Sequence, residues 1–295
     1  MKEKTIFALG FFDGVHLGHQ ALLSACKALA AEHNCRAGVL TFADHPDTLV
    51  LGKTPKLLNT PQDRRQLLTE YGMDTVVELP FDRELMCCSW QTFFRRLVEE
   101  FSAAGLVCGE DFRFGHKGEG TATALLQACE EKGLPCTVVA QQKLSGTVIS
   151  STHIRSLLEQ GRMEETVRFL GHPHIFTGTV ISGQKLGRSL GIPTANLALP
   201  EDLAVPKLGV YACRAFAGGQ WHPAVANIGT RPTVNGTGIS LEVHLLDFSG
   251  DLYGRELKVE FHIFLRPEKK FSDLTQLQEE IRKNIEETLR FFGKM

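Results

Sequence analysis

The segment Gly10-Phe11-Phe12-Asp13-Gly14-Val15-His16-Leu17-Gly18-His19 gathers an acid and two histidines three residues apart among three glycines. The apolar run Thr5-Ile6-Phe7-Ala8-Leu9 before it reads as a strand, and the spacing of Leu17, Ala21, Leu22, Ala25 and Leu29 after it predicts a helix. A strand passing into a helix N-terminus offers unpaired N–H groups and a partial positive charge, which suits an anion such as phosphate. Zinc is disfavoured, because no Cys, Asp or Glu cluster lies at ligand spacing. For an isolated histidine pair of this spacing, a tight turn with two solvated rings is the alternative. The combination of Asp13, the glycines and both histidines favours phosphate handling.

Two further groups belong with this turn. Thr41-Phe42 and His45-Pro46 follow a second predicted strand at the same sheet edge, where a loop with a stray histidine is the alternative. Gly109-Glu110-Asp111-Phe112-Arg113-Phe114-Gly115 pairs carboxylates with aromatic rings. That mixture suits a ring-shaped ligand with polar edges, or a turn held by Asp111. Ile149-Ser150-Ser151-Thr152-His153-Ile154-Arg155 is more telling. Ser151 stands where a helix N-cap would, and caps and phosphate sites use the same free N–H groups. Arg155 adds what a cap does not need, a planar fork matched to two phosphate oxygens.

A different chemistry is suggested further on. Gly178-Thr179-Val180-Ile181-Ser182-Gly183-Gln184-Lys185-Leu186-Gly187-Arg188 has glycines that permit close approach of backbone to phosphate, with flexible hairpin turns as the alternative. It is not a Walker A sequence. In Gly191-Ile192-Pro193-Thr194-Ala195-Asn196, proline fixes the local backbone, and Thr194 and Asn196 point the same way from an extended segment. Two hard oxygens so placed can hold Mg²⁺ shared with ATP phosphates; a Thr/Asn turn without metal is the alternative.

These residues require two kinds of scaffold. Residues 1 to about 170 alternate strand and helix. Strands are predicted at Arg36–Phe42, Thr75–Leu79, Gly105–Cys108 and Cys136–Ala140, with helices near Gln62–Tyr71, Trp90–Phe101, Thr121–Lys132, His153–Gln160 and Met163–Leu170. That alternation predicts an α/β fold with a Rossmann-like parallel sheet, whose ligands bind beyond the strands' carboxyl ends. From Phe176 the pattern becomes short β-branched runs between Gly and Pro turns, predicting a small all-β barrel or sandwich. A C-terminal helix follows from about Asp273 to Phe292, with Ser272 at its N-cap. The division is 1–170, a linker at 171–177 carrying His172 and His174, and 178–295.

At 295 residues the chain has room for two cores, and its 43% hydrophobic and 22% charged content is that of an ordinary globular protein. A net charge of −2 gives no support to nucleic-acid binding or to an electrostatic membrane surface. No run approaches the roughly 18 apolar residues that span a bilayer, and the first apolar run is too short for a signal peptide. Eight cysteines without a CxxC pair suit a reducing cytoplasm.

The turn at 10–19 together with Ser150-Ser151-Thr152-His153-Ile154-Arg155 resembles the nucleotidyltransferase superfamily. With Thr41-Phe42, His45-Pro46 and the 109–115 segment, the match narrows to the FMN adenylyltransferase (FAD synthetase) module of bacterial bifunctional flavin enzymes. The resemblance implies attack of the FMN phosphate on the ATP α-phosphate with release of pyrophosphate and no protein nucleophile. It implies catalysis by His16, His19 and Arg155, ATP contacts at Gly10, Phe12, Asp13, Gly14, Gly18, Ser150, Ser151 and Thr152, and flavin contacts at His45, Pro46, Asp111 and Phe114.

The second half resembles riboflavin kinase through Pro193-Thr194-Ala195-Asn196, Gly209-Val210-Tyr211, Asn227–Thr233, Leu241–Phe248, Asp251–Gly254 and Leu265–Phe271. That resemblance implies a six-stranded barrel with Mg²⁺ at Thr194 and Asn196, and Glu242 as general base toward the riboflavin 5′-hydroxyl. ATP would contact Gly178, Val180, Gly183, Gly187, Arg188 and Pro193, and flavin Gly209, Tyr211, Arg266, Glu268 and Phe271. The expected whole is an enzyme with substrates ATP, riboflavin and FMN and product FAD. Three departures from the family pattern stand out. Phe11 replaces a common Asn, the usual segment before the first strand is short, and Asn284 replaces an acid in the last helix. The alternative is a riboflavin kinase joined to a weakened or redirected nucleotidyltransferase, for which Phe11 is the sequence support.

Overall fold

The computed structural model describes residues 3–183, 191–233 and 236–293, which divide into two compact units. The first comprises residues up to Leu57 and Pro61–Ser151; the second comprises Leu58–Thr60 and the chain from Thr152 onward. Helices α7 (Ser151–Gln160) and α8 (Met163–Leu170) therefore group almost wholly with the second.

The first unit is built on a five-stranded parallel sheet in the order β3 (Thr75–Leu79), β2 (Arg36–Phe42), β1 (Thr5–Leu9), β4 (Ala103–Gly109) and β7 (Cys136–Val139). All five residues of β1 are buried, as a central strand covered on both faces requires. Helices α1 (Leu17–Glu32), α2 (Pro46–Val50), α3 (Pro61–Glu70), α4 (Arg83–Cys87), α5 (Trp90–Glu99) and α6 (Ala122–Glu131) connect the strands. One face packs Phe7, Leu9, Phe93, Leu97, Leu106 and Leu125 into a core. The chain winds outward from β1 to β3 on one side and from β4 to β7 on the other. The carboxyl end of β1 is thus the switch point where such sheets bind ligands. Two short pairs, β5 (Arg113–Phe114) with β6 (Gly120–Thr121) and β8 (Lys143–Leu144) with β9 (Thr147–Val148), decorate that edge and are not evident from sequence pattern.

The second unit is a closed six-stranded barrel in the order β10 (His174–Ile181), β11 (Ala195–Ala198), β14 (Gly236–Leu245), β13 (Gln220–Thr233), β12 (Gly209–Ala217) and β15 (Glu256–Pro267), every pair antiparallel. The expected sheet class and barrel are both present. Strand β10 already begins at His174. Leu197, Tyr211, Ala226, Leu241, Val243 and Phe261 fill the interior. Helix α9 (Leu274–Phe291) packs on the barrel with Asn284 and Thr288 buried. Its N-cap is Asp273, whose carboxylate accepts from the Gln276 N–H at 2.9 Å, one residue beyond the expected Ser272. Ser272 instead donates to the Asp273 side chain. A carboxylate at the N-cap also faces the positive end of the helix, which a hydroxyl serves less well.

Candidate active sites

Beyond β1 the chain makes a constrained turn. Phe12 is fully buried with φ 60° and Val15 has φ 40°, left-handed conformations costing on the order of 1–3 kcal/mol each where the side chain is bulky. Such cost persists only where surrounding structure over-determines the turn. His16 caps α1, its Nδ1 accepting from the His19 N–H at 3.3 Å, so a neutral His16 carries its proton on Nε2. The two imidazoles stack with centroids 3.6 Å apart and 12° between planes. Phe12 packs 5.2 Å from His19. Desolvation, then the neighbouring His16, pulls His19 well below its usual 6.5. Its Nδ1 has no hydrogen-bond partner among the described residues.

The neighbouring loops are tied to this turn. Thr41 Oγ1 donates to the Phe11 carbonyl at 3.0 Å, and Ser151 Oγ donates to the Asp13 carbonyl at 2.9 Å. Ser151 is thus the first residue of α7, with its hydroxyl proton committed to the turn. Thr152 and Arg155 follow on the same helix, Arg155 one turn in. Ser150 precedes it directly, and Gly18 lies close to the Ile149 carbonyl, where an added Cβ would stand 3.7 Å away. His45 caps α2 by accepting from the Asp47 N–H at 3.2 Å, with Pro46 in the first turn, and its ring meets Phe11 edge-on at 4.6 Å. Asp111 Oδ2 accepts from Gln141 Nε2 at 3.3 Å and Glu110 Oε1 from the Gln141 N–H at 3.0 Å, so both carboxylates hold the turn after β4. Phe114 stacks on Phe112 at 5.4 Å.

Arg64 has no site role in the sequence reading. It is 2% exposed, its Nη2 donates to the Phe42 carbonyl at 2.8 Å, and its guanidinium lies 4.3 Å over the Phe11 ring. Burial pulls its pKa down against the Glu78 and Asp13 carboxylates. Phe11 is therefore sandwiched between a buried cation and His45. In sequence Arg64 sits inside the polar run Pro61–Glu70, which reads as a solvated helix face; only the packing of α3 on the first turn encloses it.

In the barrel, strand register assembles a second group. Directly opposed residues of antiparallel strands share a face. Ile181 faces Asn196, Asn196 faces Glu242, Glu242 faces Asn227, Asn227 faces Val210 and Val210 faces Arg266. This row crosses all six strands. Its members alternate along their strands with interior residues such as Leu241 and Val243, so it lies on the outer face. Thr194 Oγ1 is 3.4 Å from Glu242 Oε2. Gly183 lies against the buried Asn196, whose carboxamide a Cβ there would strike. Two neutral hard oxygens beside one carboxylate fit a Mg²⁺ held mainly by nucleotide and water. No cluster of three His, Cys, Asp or Glu able to cage a metal exists among the described residues.

Beside Thr194, a cavity of about 540 Å³ is lined by Val180, Pro193, Thr194, Ala195, Leu245 and the Phe248–Tyr253 loop. Gly178 lies on β10 against Phe176, while Gly187 and Arg188 lie outside the described residues. At the other end of the row, an added Cβ at Gly229 would collide with Glu268 Oε1 and lie 3.2 Å from Asn227 Nδ2. Arg266 Nε donates to Asn284 Oδ1 at 3.1 Å, approaches Glu280 at 3.5 Å, and the guanidinium lies 5.6 Å from the Phe271 ring. Gly209, at φ 153°, leaves room for the Arg266 carbonyl that a Cβ would strike. Tyr211 is fully buried in the interior with its hydroxyl donating to the Lys207 carbonyl, and burial, then nearby Cys213, raises its phenol well above the usual 10. Asn227 belongs to a matched motif but has no site role in the sequence, because an amide within an apolar strand carries no chemical signal until the register sets it opposite Glu242.

Two family models match the chain, one described as FAD synthetase over residues 1–153 and one as riboflavin kinase over 170–292. The bifunctional riboflavin kinase/FMN adenylyltransferase of Listeria monocytogenes is 36% identical over 293 residues, covering 98% of this chain and 93% of that protein. The protein of the same name from Escherichia coli strain K12 is 37% identical over 295 residues, covering 99% and 94%. A crystal structure described as a macrolide-efflux protein from Streptococcus pneumoniae superposes with a TM-score of 0.88 at 28% identity, covering 98% of this chain and 94% of that one. Among the described residues here, no helix is long and apolar enough to cross a membrane.

Proposed function

Since the chain belongs to the bifunctional riboflavin kinase/FMN adenylyltransferase family, we propose a division of its chemistry between residues 1–170 and 178–295, joined at 171–177. The enzyme phosphorylates riboflavin with ATP to give FMN, then transfers the adenylyl group of a second ATP to FMN, giving FAD and pyrophosphate.

In the barrel, Glu242 accepts the proton of the riboflavin 5′-hydroxyl as that oxygen attacks the γ-phosphorus of ATP and the bond to the β-phosphate oxygen breaks. The observation that carries this role is the position of Glu242 directly opposite Asn196 and 3.4 Å from Thr194. Thr194 and Asn196 would hold Mg²⁺, which when bound neutralises charge on the transferring phosphates. The cavity from Val180 and Pro193 to Tyr253 receives ATP, with Gly178 and Gly183 keeping the backbone low beside it. Gly209, Arg266, Glu268 and Phe271 receive the flavin, and Tyr211 supports them from the interior.

At the sheet edge an FMN phosphate oxygen attacks the ATP α-phosphorus, and pyrophosphate leaves with the electrons of the broken P–O bond. No side chain needs to form a covalent bond. His16 and His19 donate to phosphate oxygens, the turn from Gly10 through Gly18 and the backbone of Ser150–Thr152 supply further N–H donors, the Ser150 and Thr152 hydroxyls add O–H donors, and Arg155 adds its fork. His45, Pro46, Asp111 and Phe114 border the flavin. Eight free cysteines and a net charge of −2 support work in a reducing cytoplasm on small molecules, without nucleic acid or membrane.

The test is Glu242→Gln. It removes the proton acceptor while keeping shape, so FMN formation stops and FAD formation from supplied FMN continues. Retained FMN formation would remove Glu242 from its role.

A further inference from the structure

Strands β11 and β14 pair from Ala198 with Ser240 to Ala195 with Val243, and the ladder stops there. Continuing it would bring Pro193 and Thr194 alongside His244 and Leu245. Pro193 has no N–H to donate, so the ladder has no regular continuation. A side chain takes over at that point: His244 Nδ1 lies 2.8 Å from the Pro193 carbonyl oxygen. A carbonyl oxygen only accepts, so Nδ1 must carry a proton. Thr194, the residue whose hydroxyl reaches Glu242, follows Pro193 directly. His244 stands two residues from Glu242 on β14, on the same outer face.

We propose that His244 is a positioning residue for the kinase reaction, holding Pro193 so that the Thr194 oxygen stays beside Glu242 and in line with Asn196. It acts through Thr194 and not on substrate. Asn196 is fixed by the ladder opposite Glu242, but Thr194 lies one residue beyond the ladder's end. Without the imidazole bond, the Gly191–Thr194 segment leaves β14 and the two hard oxygens lose their common direction. The wall of the ATP cavity formed by Pro193 and Thr194 moves with it. The riboflavin end of the row, at Arg266 and Glu268, does not depend on this bond.

The inference rests on the assignment of Thr194 and Glu242 above, and three variants of the full chain test it separately. Asn at 244 places an amide N–H near the position of Nδ1, whereas Gln places it near Nε2 and Ala removes it. His244→Ala and His244→Gln should raise the KM for Mg-ATP in FMN formation about tenfold, the scale of one lost hydrogen bond. His244→Asn should return it to near the parent value. Riboflavin binding, followed by quenching of flavin fluorescence without ATP, should be unchanged in all three, as should FAD formation from supplied FMN. An Asn variant no better than Ala would overturn the proposal. So would lost riboflavin binding, which would make His244 a folding residue of the barrel. If Glu242→Gln abolishes FMN formation while His244→Ala leaves the Mg-ATP KM untouched, this inference fails alone. If Glu242→Gln is active, the reading beneath it fails.

Discussion

His16 and His19 stack face to face at 3.6 Å, with the backbone N–H of the second bonded to Nδ1 of the first. The pair is therefore one rigid unit at the head of α1, with His16 set by the helix and His19 set by His16 and Phe12. Replacing His19 by Ala removes an imidazole donor, while the backbone N–H at position 19 still holds the His16 ring. FAD formation from supplied FMN should fall about 10²-fold, the scale of one lost transition-state donor. FMN formation from riboflavin, measured on the same sample, should be unchanged. Equal loss of both activities would contradict the separation of the sites.

Gly183→Ala should abolish FMN formation without touching adenylylation. A Cβ at that position collides with the Asn196 carboxamide, and the ladder fixes the backbone of Asn196 opposite Glu242. The carboxamide has to turn, taking the hard oxygen out of line with Thr194. Steady-state assay of the two half-reactions checks this. A Gly183→Ala enzyme with ordinary kinase activity would show that Asn196 has no part in it.

Asn284→Ala should raise the KM for riboflavin about tenfold, with little change in kcat, since a hydrogen bond to a charged group is worth about 1.5–3 kcal/mol. Arg266 is held by Asn284 and by Glu280 one turn earlier. Position 284 thus offers Arg266 a neutral amide oxygen, and the acid at position 280 supplies the nearby charge. Asn284→Asp should keep the bond and leave the KM near that of the parent. An unchanged KM in the Ala variant would separate Arg266 from the flavin.

Stability should fall as pH drops below about 6.5, in part through His174. This side chain is 1% exposed beside Phe261, and burial, then nearby His172, lowers it to about 3. Between those pH values the unfolded chain binds a proton that the folded barrel does not, so the loss is about 1.4 kcal/mol per pH unit and vanishes above 6.5. Urea unfolding of the parent and of His174→Phe at pH 7 and pH 5 reads the difference. An equal acid dependence in both would contradict this account.

How much of this was legible in sequence depended on the kind of signal. The apolar period of two in Leu241, Val243 and Leu245 already set Glu242 apart, because a carboxylate among alternating interior residues must face outward. The glycine-rich turn after an apolar strand likewise marked the passage from β1 into the N-terminus of α1. What sequence could not carry was partnership across elements. Asn227, His244 and Asn284 acquire meaning only once the register and the docking of α9 bring Glu242, Pro193 and Arg266 to them. Arg64 illustrates the limit: its neighbours Gln62, Asp63 and Arg65 make the helix read as solvated, yet α3 presses its guanidinium under Phe11. The same packing gives Phe11 a structural place, as a ring between Arg64 and His45.

One chain carries two consecutive activities, riboflavin phosphorylation and FMN adenylylation. Incubating the full chain with riboflavin and Mg-ATP and separating the flavins by chromatography tests it most directly. FMN should appear first and FAD should follow at its expense; accumulation of FMN with no FAD would contradict the account.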